Sequence, residues 1–399
     1  MSSQRSQLML FFAAVSLIGV TLGIQESILN NFLSDTFALS ATGRGWLELP
    51  RELPGLLVVL TAGALWMLPV TRVGVVGALV FSAGLVGVAV YGGTFGPMVA
   101  MLMVGSAGMH LLQPIGASLA IGLSGESNRG KRMGQMGAIG TAGVIVGSGG
   151  IALFLGETDP RYRTAFLVAA VLAAAGGAVY ACMHVPHLHQ PRARLVVKRK
   201  FWLYYLLEFL FGARKQIFIT FGPWVLIQVY KEPARDIAGL ITIASVIGLG
   251  FKPLVGYAID RFGERLVMIV DGIVLAVVCL GYGYALRLFG DQSHALIVAC
   301  GCYILDNLLF ALGTGRAVYM SRIADSPQEV TSTVATGISI NHIASMFIPA
   351  VAGAVWMGMG YERVFLGAAI LALCIAATAS LVPGPGRGRR GRRTSRVPT

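Results

Sequence analysis

Residues 186–200 read PHLHQPRARLVVKRK, a stretch rich in proline, histidine and basic side chains within a chain that is otherwise strongly apolar. On both sides of it the sequence consists of apolar runs of about 20 residues, the length that an α-helix needs to cross a bilayer. The stretch therefore predicts a cytoplasmic linker between two helical bundles, at 1–185 and 201–383. A basic tail, predicted to be disordered, follows at 384–399.

Six apolar runs precede the linker and six follow it. This pattern predicts an all-α membrane protein with twelve transmembrane helices in two six-helix bundles related by pseudo-two-fold symmetry. In the first half the predicted helices are Leu8–Phe32, Trp46–Leu68, Val73–Tyr91, Phe95–Leu123, Met133–Leu155 and Thr164–Met183. In the second half they are Phe201–Tyr230, Ile237–Ile259, Leu266–Leu288, Ala295–Gly315, Thr331–Met357 and Val364–Val382.

Composition excludes most water-soluble classes, because only 12% of the 399 residues are charged, against about 25% in an ordinary soluble domain. The net charge of +13 comes from loops and the tail, so it indicates membrane topology and no nucleic-acid partner. No P-loop, nucleophile constellation or metal-ligand spacing is present, so we expect no enzyme, no cofactor and no metal site. The histidines around the linker are interpreted as linker residues.

Basic residues are more frequent in the loops on the linker side of the predicted helices than in the loops on the opposite side. The positive-inside rule therefore predicts that the linker and both termini are cytoplasmic, in a plasma or inner membrane. The two halves also resemble each other in sequence. The entry to the second helix, 50–57 (PRELPGLL), matches the entry to the eighth, 234–241 (ARDIAGLI), and a similar alignment of helices one and seven sets Glu26 opposite Lys215.

The segment after the eighth apolar run reads GYAIDRFGER (256–265) and resembles the cytoplasmic loop signature of the major facilitator superfamily. Its first glycine would allow close helix approach, and its second would form a tight turn. The resemblance implies twelve helices around a central cavity, transport by alternating access, and a loop that holds one conformational state by contacting the start of the fifth helix near Met133. The predicted gating residues are Gly256, Asp260, Arg261, Gly263 and Arg265.

Ionisable groups inside a bilayer are costly and usually face a cavity or a partner, so their positions indicate a candidate site. By the resemblance, helices one, four, seven and ten line the cavity. Asp271 lies outside that set and is expected to pair with Lys252. The predicted substrate or proton residues on the lining helices are Glu26, His110, Gln113, Arg214, Lys215, Asp306 and Asn307.

Two charged pairs, at the entries to the second and eighth helices, predict a matched outer gate or packing clamp: Arg51 with Glu52, and Arg235 with Asp236. Adjacent helix residues point about 100° apart, so Arg214 and Lys215 cannot both face one ligand. These features favour a monomeric, proton-coupled secondary transporter of a small anionic or zwitterionic solute. The alternatives are a proton-coupled exporter of drugs or amphiphiles and, less favoured, a membrane-embedded enzyme or receptor.

Overall fold

The computed structural model describes residues 2–64, 67–124, 128–157, 160–185, 188 and 197–384. Most of the predicted linker, and the tail beyond Gly384, lie outside the described residues. The domain limits drawn from those two segments therefore stay predictions.

Fourteen α-helices account for most of the described residues. Those of the first half are α1 (Ser2–Phe37), α2 (Ala41–Trp46), α3 (Glu48–Ala64), α4 (Val70–Tyr91), α5 (Phe95–Gly122), α6 (Arg129–Phe154) and α7 (Tyr162–Ala181). Those of the second half are α8 (Trp202–Gln228), α9 (Ala234–Phe262), α10 (Glu264–Phe289), α11 (Gln292–Leu309), α12 (Thr314–Ile323), α13 (Pro327–Met359) and α14 (Tyr361–Ser380).

Two of the predicted spans are broken helices. The second span consists of the short α2 followed by α3, and the tenth consists of α11 and α12 joined by a 3₁₀ turn at Phe310–Gly313. Counted this way, the described residues form twelve spans, as predicted. Ten spans are long and apolar enough to cross a bilayer by composition alone. The remaining two, α3 and α8, carry the buried charges of the site described below.

Local sequence signals explain where several helices begin and end. Ser326 caps α13, because its hydroxyl accepts a hydrogen bond from the backbone N–H of Glu329 at 3.2 Å. Between α9 and α10, Gly263 has φ = +84°, a backbone conformation that residues with a side chain rarely adopt. The tight turn predicted at this glycine is therefore confirmed.

Contacts among the helix termini define two ends of the molecule. At one end, Gln7 accepts a hydrogen bond from the backbone N–H of His184, and Lys200 pairs with Asp325 at 2.7 Å. We call this the linker end, because residues 197–200 and the described start of the linker lie there. At the opposite end, the far end, Arg235 pairs with Glu157 at 2.6 Å.

The two halves meet along α6 against α9 and along α2 and α3 against α13. Within the first half, α1 packs closely on α6: a Cβ atom on Gly147 would lie 2.2 Å from the backbone oxygen of Val20. The glycine-rich sequence of the predicted fifth helix thus serves close packing at this position. Other glycines of that helix, such as Gly137 and Gly150, have open space around them.

Candidate functional site

A cavity of about 1110 Å³ lies between the two halves. At its far end the lining includes Asn30 and Arg44, and toward the linker end it includes Met136, Tyr204 and Val334. The cavity therefore extends from the middle of the molecule toward the linker end.

Hydrogen bonds between the halves close the far end of this cavity. The side-chain amide of Asn31 donates to the backbone oxygen of Glu232 at 3.0 Å, and Gln228 donates to the Ser34 hydroxyl at 2.8 Å. The Thr42 hydroxyl donates to the backbone oxygen of Gly353 at 3.2 Å. The structure thus describes a conformation that is closed at the far end and open at the linker end.

Glu48 is the centre of a charged network on the floor of the cavity. Its carboxylate accepts hydrogen bonds from Arg44 at 2.5 Å, from Arg51 at 2.7 Å and from the Gln216 amide at 2.7 Å. The side chains of Arg44 and Glu48 are almost completely buried. A buried carboxylate between two arginines is stable because each charge has an opposite partner at hydrogen-bond distance. Gln216 adds a contact from the second half of the chain.

A second buried cluster joins the halves near this floor. Oε2 of Glu52 lies 3.0 Å from Nδ1 of His342, and the rings of His342 and His110 meet edge to face with centroids 5.0 Å apart. His110 also bonds through Nδ1 to the backbone oxygen of Ser106 at 2.8 Å. Because Glu52 and His110 lie on α3 and α5 while His342 lies on α13, the cluster spans the interface.

The two adjacent basic residues of α8 have different surroundings. Nη2 of Arg214 lies 2.8 Å from Oδ1 of Asp306, and both side chains are buried, with 1% and 3% exposure. The Arg214 guanidinium also stacks 4.8 Å from the centre of the Phe310 ring. Lys215 lines the cavity, where its ammonium donates one hydrogen bond, to Oδ1 of Asn341 at 3.0 Å.

Asn341 connects Lys215 to a further ion pair nearer the linker end. Its amide nitrogen lies 3.5 Å from the backbone and carboxylate oxygens of Glu208, which fixes the amide oxygen toward Lys215. Glu208 in turn accepts a hydrogen bond from Arg316 at 2.9 Å. Glu208 is therefore neutralised by Arg316, so the ammonium of Lys215 has no carboxylate partner among the described residues.

The other predicted cavity residues are also placed on its wall. Glu26 is exposed to the cavity, and its carboxylate has no hydrogen-bond or ion-pair partner among the described residues. Gln113 is exposed to the same space, and Asn307 lines it while donating to the backbone oxygen of Tyr303 at 2.8 Å. The seven predicted site residues thus lie at or directly behind one cavity.

The prediction of two matched pairs at an outer entrance is wrong. Arg51 and Glu52 lie on the cavity floor, and Glu52 is buried, with 5% exposure. The reason is the short helix α2, which packs on α13 at the far end and extends the span beyond Arg51 and Glu52. Arg235 instead pairs with Glu157 of the other half, while Asp236 is exposed. The two charged dipeptides share a sequence pattern but occupy different environments.

Two smaller expectations also need correction. Lys252 does not pair with Asp271, because its ammonium donates to the Thr141 hydroxyl on α6 at 2.9 Å. Asp271 is buried, within electrostatic reach of Arg214 and Arg316. The helix approach expected at Gly256 is missing too, since a Cβ atom there would meet nothing within 4 Å.

Of the remaining gating residues, Asp260 and Arg261 are exposed at the linker end, and Gly263 and Arg265 are half-exposed. Asp260 is exposed and has no partner among the described residues, and Arg261 donates to the Tyr257 hydroxyl at 2.6 Å. The predicted contact with the start of α6 near Met133 is not formed in this conformation, because the cavity opens between the halves at this end. The gating role of the motif stays a prediction.

The sequence reasoning missed Glu48 and its partners. Arg44, Glu48 and Arg51 have the i, i+4 and i, i+3 spacing at which charges on one helical face pair, and this signal was available. Arg44 precedes the apolar run Trp46–Leu68, so the sequence pattern places it in a loop. Gln216, Glu208 and Arg316 were also missed, since their roles depend on contacts between distant helices.

Comparisons with known proteins agree with this architecture. The family model described as Major Facilitator Superfamily matches residues 9–340, so the chain belongs to that superfamily. It is a secondary transporter and not an enzyme. No curated protein matches the chain significantly by sequence.

Solved transporter structures share the fold across nearly the whole chain. The nucleoside transporter NupG has a TM-score of 0.73 at 17% identity, with 95% of this chain and 98% of that chain covered. The D-xylose–proton symporter has a TM-score of 0.74 at 15% identity, with 96% of this chain and 98% of that chain covered. A third structure is a bacterial homologue of the human lysosomal transporter Spinster in an inward-facing and occupied conformation. It has a TM-score of 0.72 at 14% identity, with 96% of this chain and 97% of that chain covered. At these identities the likeness shows the fold alone.

Proposed function

We propose that this transporter moves a small organic anion or zwitterion by alternating access, with protons as the coupling ion. The observation that carries the proposal is Lys215. Its ammonium lies on the cavity wall with an amide oxygen as its described partner, whereas Arg214 beside it is neutralised by Asp306. An ammonium inside the membrane that no carboxylate contacts directly is costly, and an anionic substrate group would lower that cost. Lys252, which also lines the cavity, adds a second positive charge.

Glu26 is the proposed proton carrier. Its carboxylate faces the cavity and has no partner among the described residues, so it can exchange protons with cavity water. An acid at this position also suits the amine of a zwitterionic substrate. The structural neighbour described as a D-xylose–proton symporter shows that the fold can couple solute to protons. His110 is a weaker candidate, because it is buried and bonded to Ser106.

A second candidate function is the export of cationic or amphipathic compounds. The observation in its favour is again Glu26, together with the apolar part of the lining formed by residues such as Leu22, Met109, Phe251 and Ile338. In that case the acid would bind the cation and Lys215 would be a structural residue. The charge of the transported solute therefore distinguishes the two candidate functions.

We propose further that the linker end faces the cytoplasm, in agreement with the positive-inside rule applied to the loops. The conformation described here is then inward-facing. We also propose that the protein is a monomer in the cytoplasmic membrane. The two bundles would be residues 1–185 and 201–383.

The test is transport by the purified protein in proteoliposomes, screened against anions, zwitterions, cations and neutral sugars with and without a pH gradient. The proposal expects uptake of an anion or zwitterion that a pH gradient drives above equilibrium and that Lys215→Gln reduces strongly. The exposed Lys231, between α8 and α9, gives the matched control, and Lys231→Gln should transport normally. Transport restricted to cations, sensitive to Glu26→Gln and insensitive to Lys215→Gln, would favour the exporter instead.

A further inference from the structure

Glu52, His110 and His342 form a cluster of metal-ligand type within the membrane. Each offers one ligand atom, and these three atoms lie within 4.8 Å of one another. All three side chains are buried, with exposures of 5%, 4% and 7%, and all three line the cavity. Two imidazoles and one carboxylate are the donor set of many zinc sites with an open coordination position.

The hydrogen bonds of His110 leave one of its ring nitrogens ready to bind a metal. Its Nδ1 lies 2.8 Å from the backbone oxygen of Ser106, and a carbonyl oxygen can only accept. Nδ1 of the neutral ring therefore carries the proton, and the lone pair is on Nε2. A backbone carbonyl that holds the second nitrogen of a histidine in this way is the usual support of a metal-bound imidazole.

The other two ligands already lie at the separation seen within a coordination sphere. Oε2 of Glu52 is 3.0 Å from Nδ1 of His342, where an ion bound to both atoms would replace their shared proton. Oε1 of Glu52 is used separately by Arg51 at 3.1 Å. The carboxylate can thus bind an ion through one oxygen and keep its ion pair through the other.

Gly55 makes room for both rings. A Cβ atom at this position would lie 2.6 Å from Nε2 of His110 and 2.6 Å from Nδ1 of His342, closer than real contacts allow. At Gly239, which the internal repeat aligns with Gly55, a Cβ atom would meet nothing within 4 Å. Gly55 therefore leaves free the space that the two imidazole rings occupy.

From this geometry we propose that Glu52, His110 and His342 bind a first-row transition metal ion such as Zn²⁺, with a fourth position open to the cavity. No metal site is expected from the sequence, because the three residues are far apart along the chain and only the helix packing brings them together. The proposal stands independently of the substrate proposed above.

Neighbouring positive charges restrict which ions the site can hold. Arg51 touches Glu52, and Lys215 lies near enough to act on it electrostatically. Mg²⁺ and Ca²⁺, which depend on several oxygen ligands, would gain too little from one carboxylate oxygen in such surroundings. Zn²⁺, Co²⁺ and Ni²⁺ form strong bonds to imidazole nitrogen and can overcome the repulsion.

A bound ion would join the halves. Glu52 and His110 belong to α3 and α5, and His342 belongs to α13, so their common ion would hold α13 against the first half at this depth. Because these ligand atoms meet in the conformation open at the linker end, the ion should stabilise that conformation. It should also slow any transport that requires the far end to open.

The experiment uses the full chain, purified in detergent with any affinity tag removed, and titrated with CoCl₂ and ZnCl₂. We expect one Co²⁺ per chain with the visible absorption bands of a low-symmetry four-coordinate site, displaced by Zn²⁺ and untouched by Mg²⁺. Zn²⁺ should also raise the unfolding temperature. His110→Gln and His342→Gln should each weaken binding at least about tenfold.

His294, an exposed histidine paired with Asp291, provides the matched control, and His294→Gln should leave binding unchanged. The unfolding temperature of each variant without metal shows whether it is folded. Absence of the Co²⁺ bands in the wild type would overturn the proposal. Co²⁺ binding that survives in folded His110→Gln and His342→Gln would also overturn it. So would binding that disappears in His294→Gln, since the ion would then lie elsewhere.

Discussion

The ammonium nitrogen of Lys215 lies 3.0 Å from the amide oxygen of Asn341, on the wall of the central cavity. The preceding residue, Arg214, points in another direction and forms a buried ion pair with Asp306 at 2.8 Å. The 100° between successive helical residues therefore separates two basic side chains into a structural role and a cavity-facing role. Each role makes a different prediction.

Replacing Arg214 should destabilise the fold. Arg214→Gln would leave the buried Asp306 without its partner, at a cost of about 3–5 kcal/mol in buried sites. We expect a clear fall in the unfolding temperature measured in detergent. The double variant Arg214→Gln with Asp306→Asn should recover part of the loss, because it leaves no uncompensated charge. A double variant as unstable as the sum of the two single variants would contradict this pairing.

Glu48 should matter as much to stability as Arg214. Glu48→Gln removes the charge that neutralises Arg44 and Arg51 on the cavity floor, and the expected cost is again about 3–5 kcal/mol. Glu157→Gln is the matched control, since that residue forms an exposed pair with Arg235 worth less than about 1 kcal/mol. Chemical unfolding of both variants measures the difference. Equal stability of the two would mean that the Glu48 network contributes nothing.

The overall fold could be predicted from sequence because its main signals are local. Apolar runs of bilayer length, the basic residues of the loops and the glycine turn at Gly263 each depend on neighbours along the chain. The break of the second span into α2 and α3 was missed, since Ser40 begins an additional short helix before the apolar run. The span therefore extends beyond Arg51 and Glu52, which the sequence pattern alone had placed at an entrance.

The candidate site could be predicted only in part. The cost of placing a charge in a bilayer selected residues such as Glu26, Lys215 and Asp306, and the structure places them at one cavity. The partner of each charged residue could not be predicted, because it is set by the packing of distant helices. Arg316 with Glu208, and His342 with Glu52, each join residues more than a hundred positions apart.

Glu26 should be required for coupling to protons. We expect Glu26→Gln to abolish accumulation driven by a pH gradient, because the amide cannot carry a proton across the membrane. Exchange of substrate across the membrane should continue, since it does not require proton release. Uptake and counterflow in proteoliposomes separate the two activities. Normal pH-driven accumulation by this variant would remove Glu26 from the mechanism and leave Asp306 or His110 as the carrier.

Asp260 should influence the conformational equilibrium without binding substrate. It is exposed at the open linker end, and by family resemblance it contacts the other half when that end closes. Asp260→Asn should therefore slow transport several-fold while leaving substrate affinity in detergent nearly unchanged. Asp236, at the opposite end of α9, is the matched control, and Asp236→Asn should transport normally. A large loss of affinity with normal turnover in Asp260→Asn would place this residue in the binding site instead.

The central claim, that Lys215 binds an anionic group of the substrate, is tested most directly by the thermal stabilisation that the transported substrate gives to the purified protein. In the wild type and in Lys215→Arg, which keeps the charge, the substrate should raise the unfolding temperature. In Lys215→Gln the protein should remain folded, with an unfolding temperature near that of the wild type, and the stabilisation by substrate should disappear. Undiminished stabilisation of folded Lys215→Gln by the same substrate would contradict the claim.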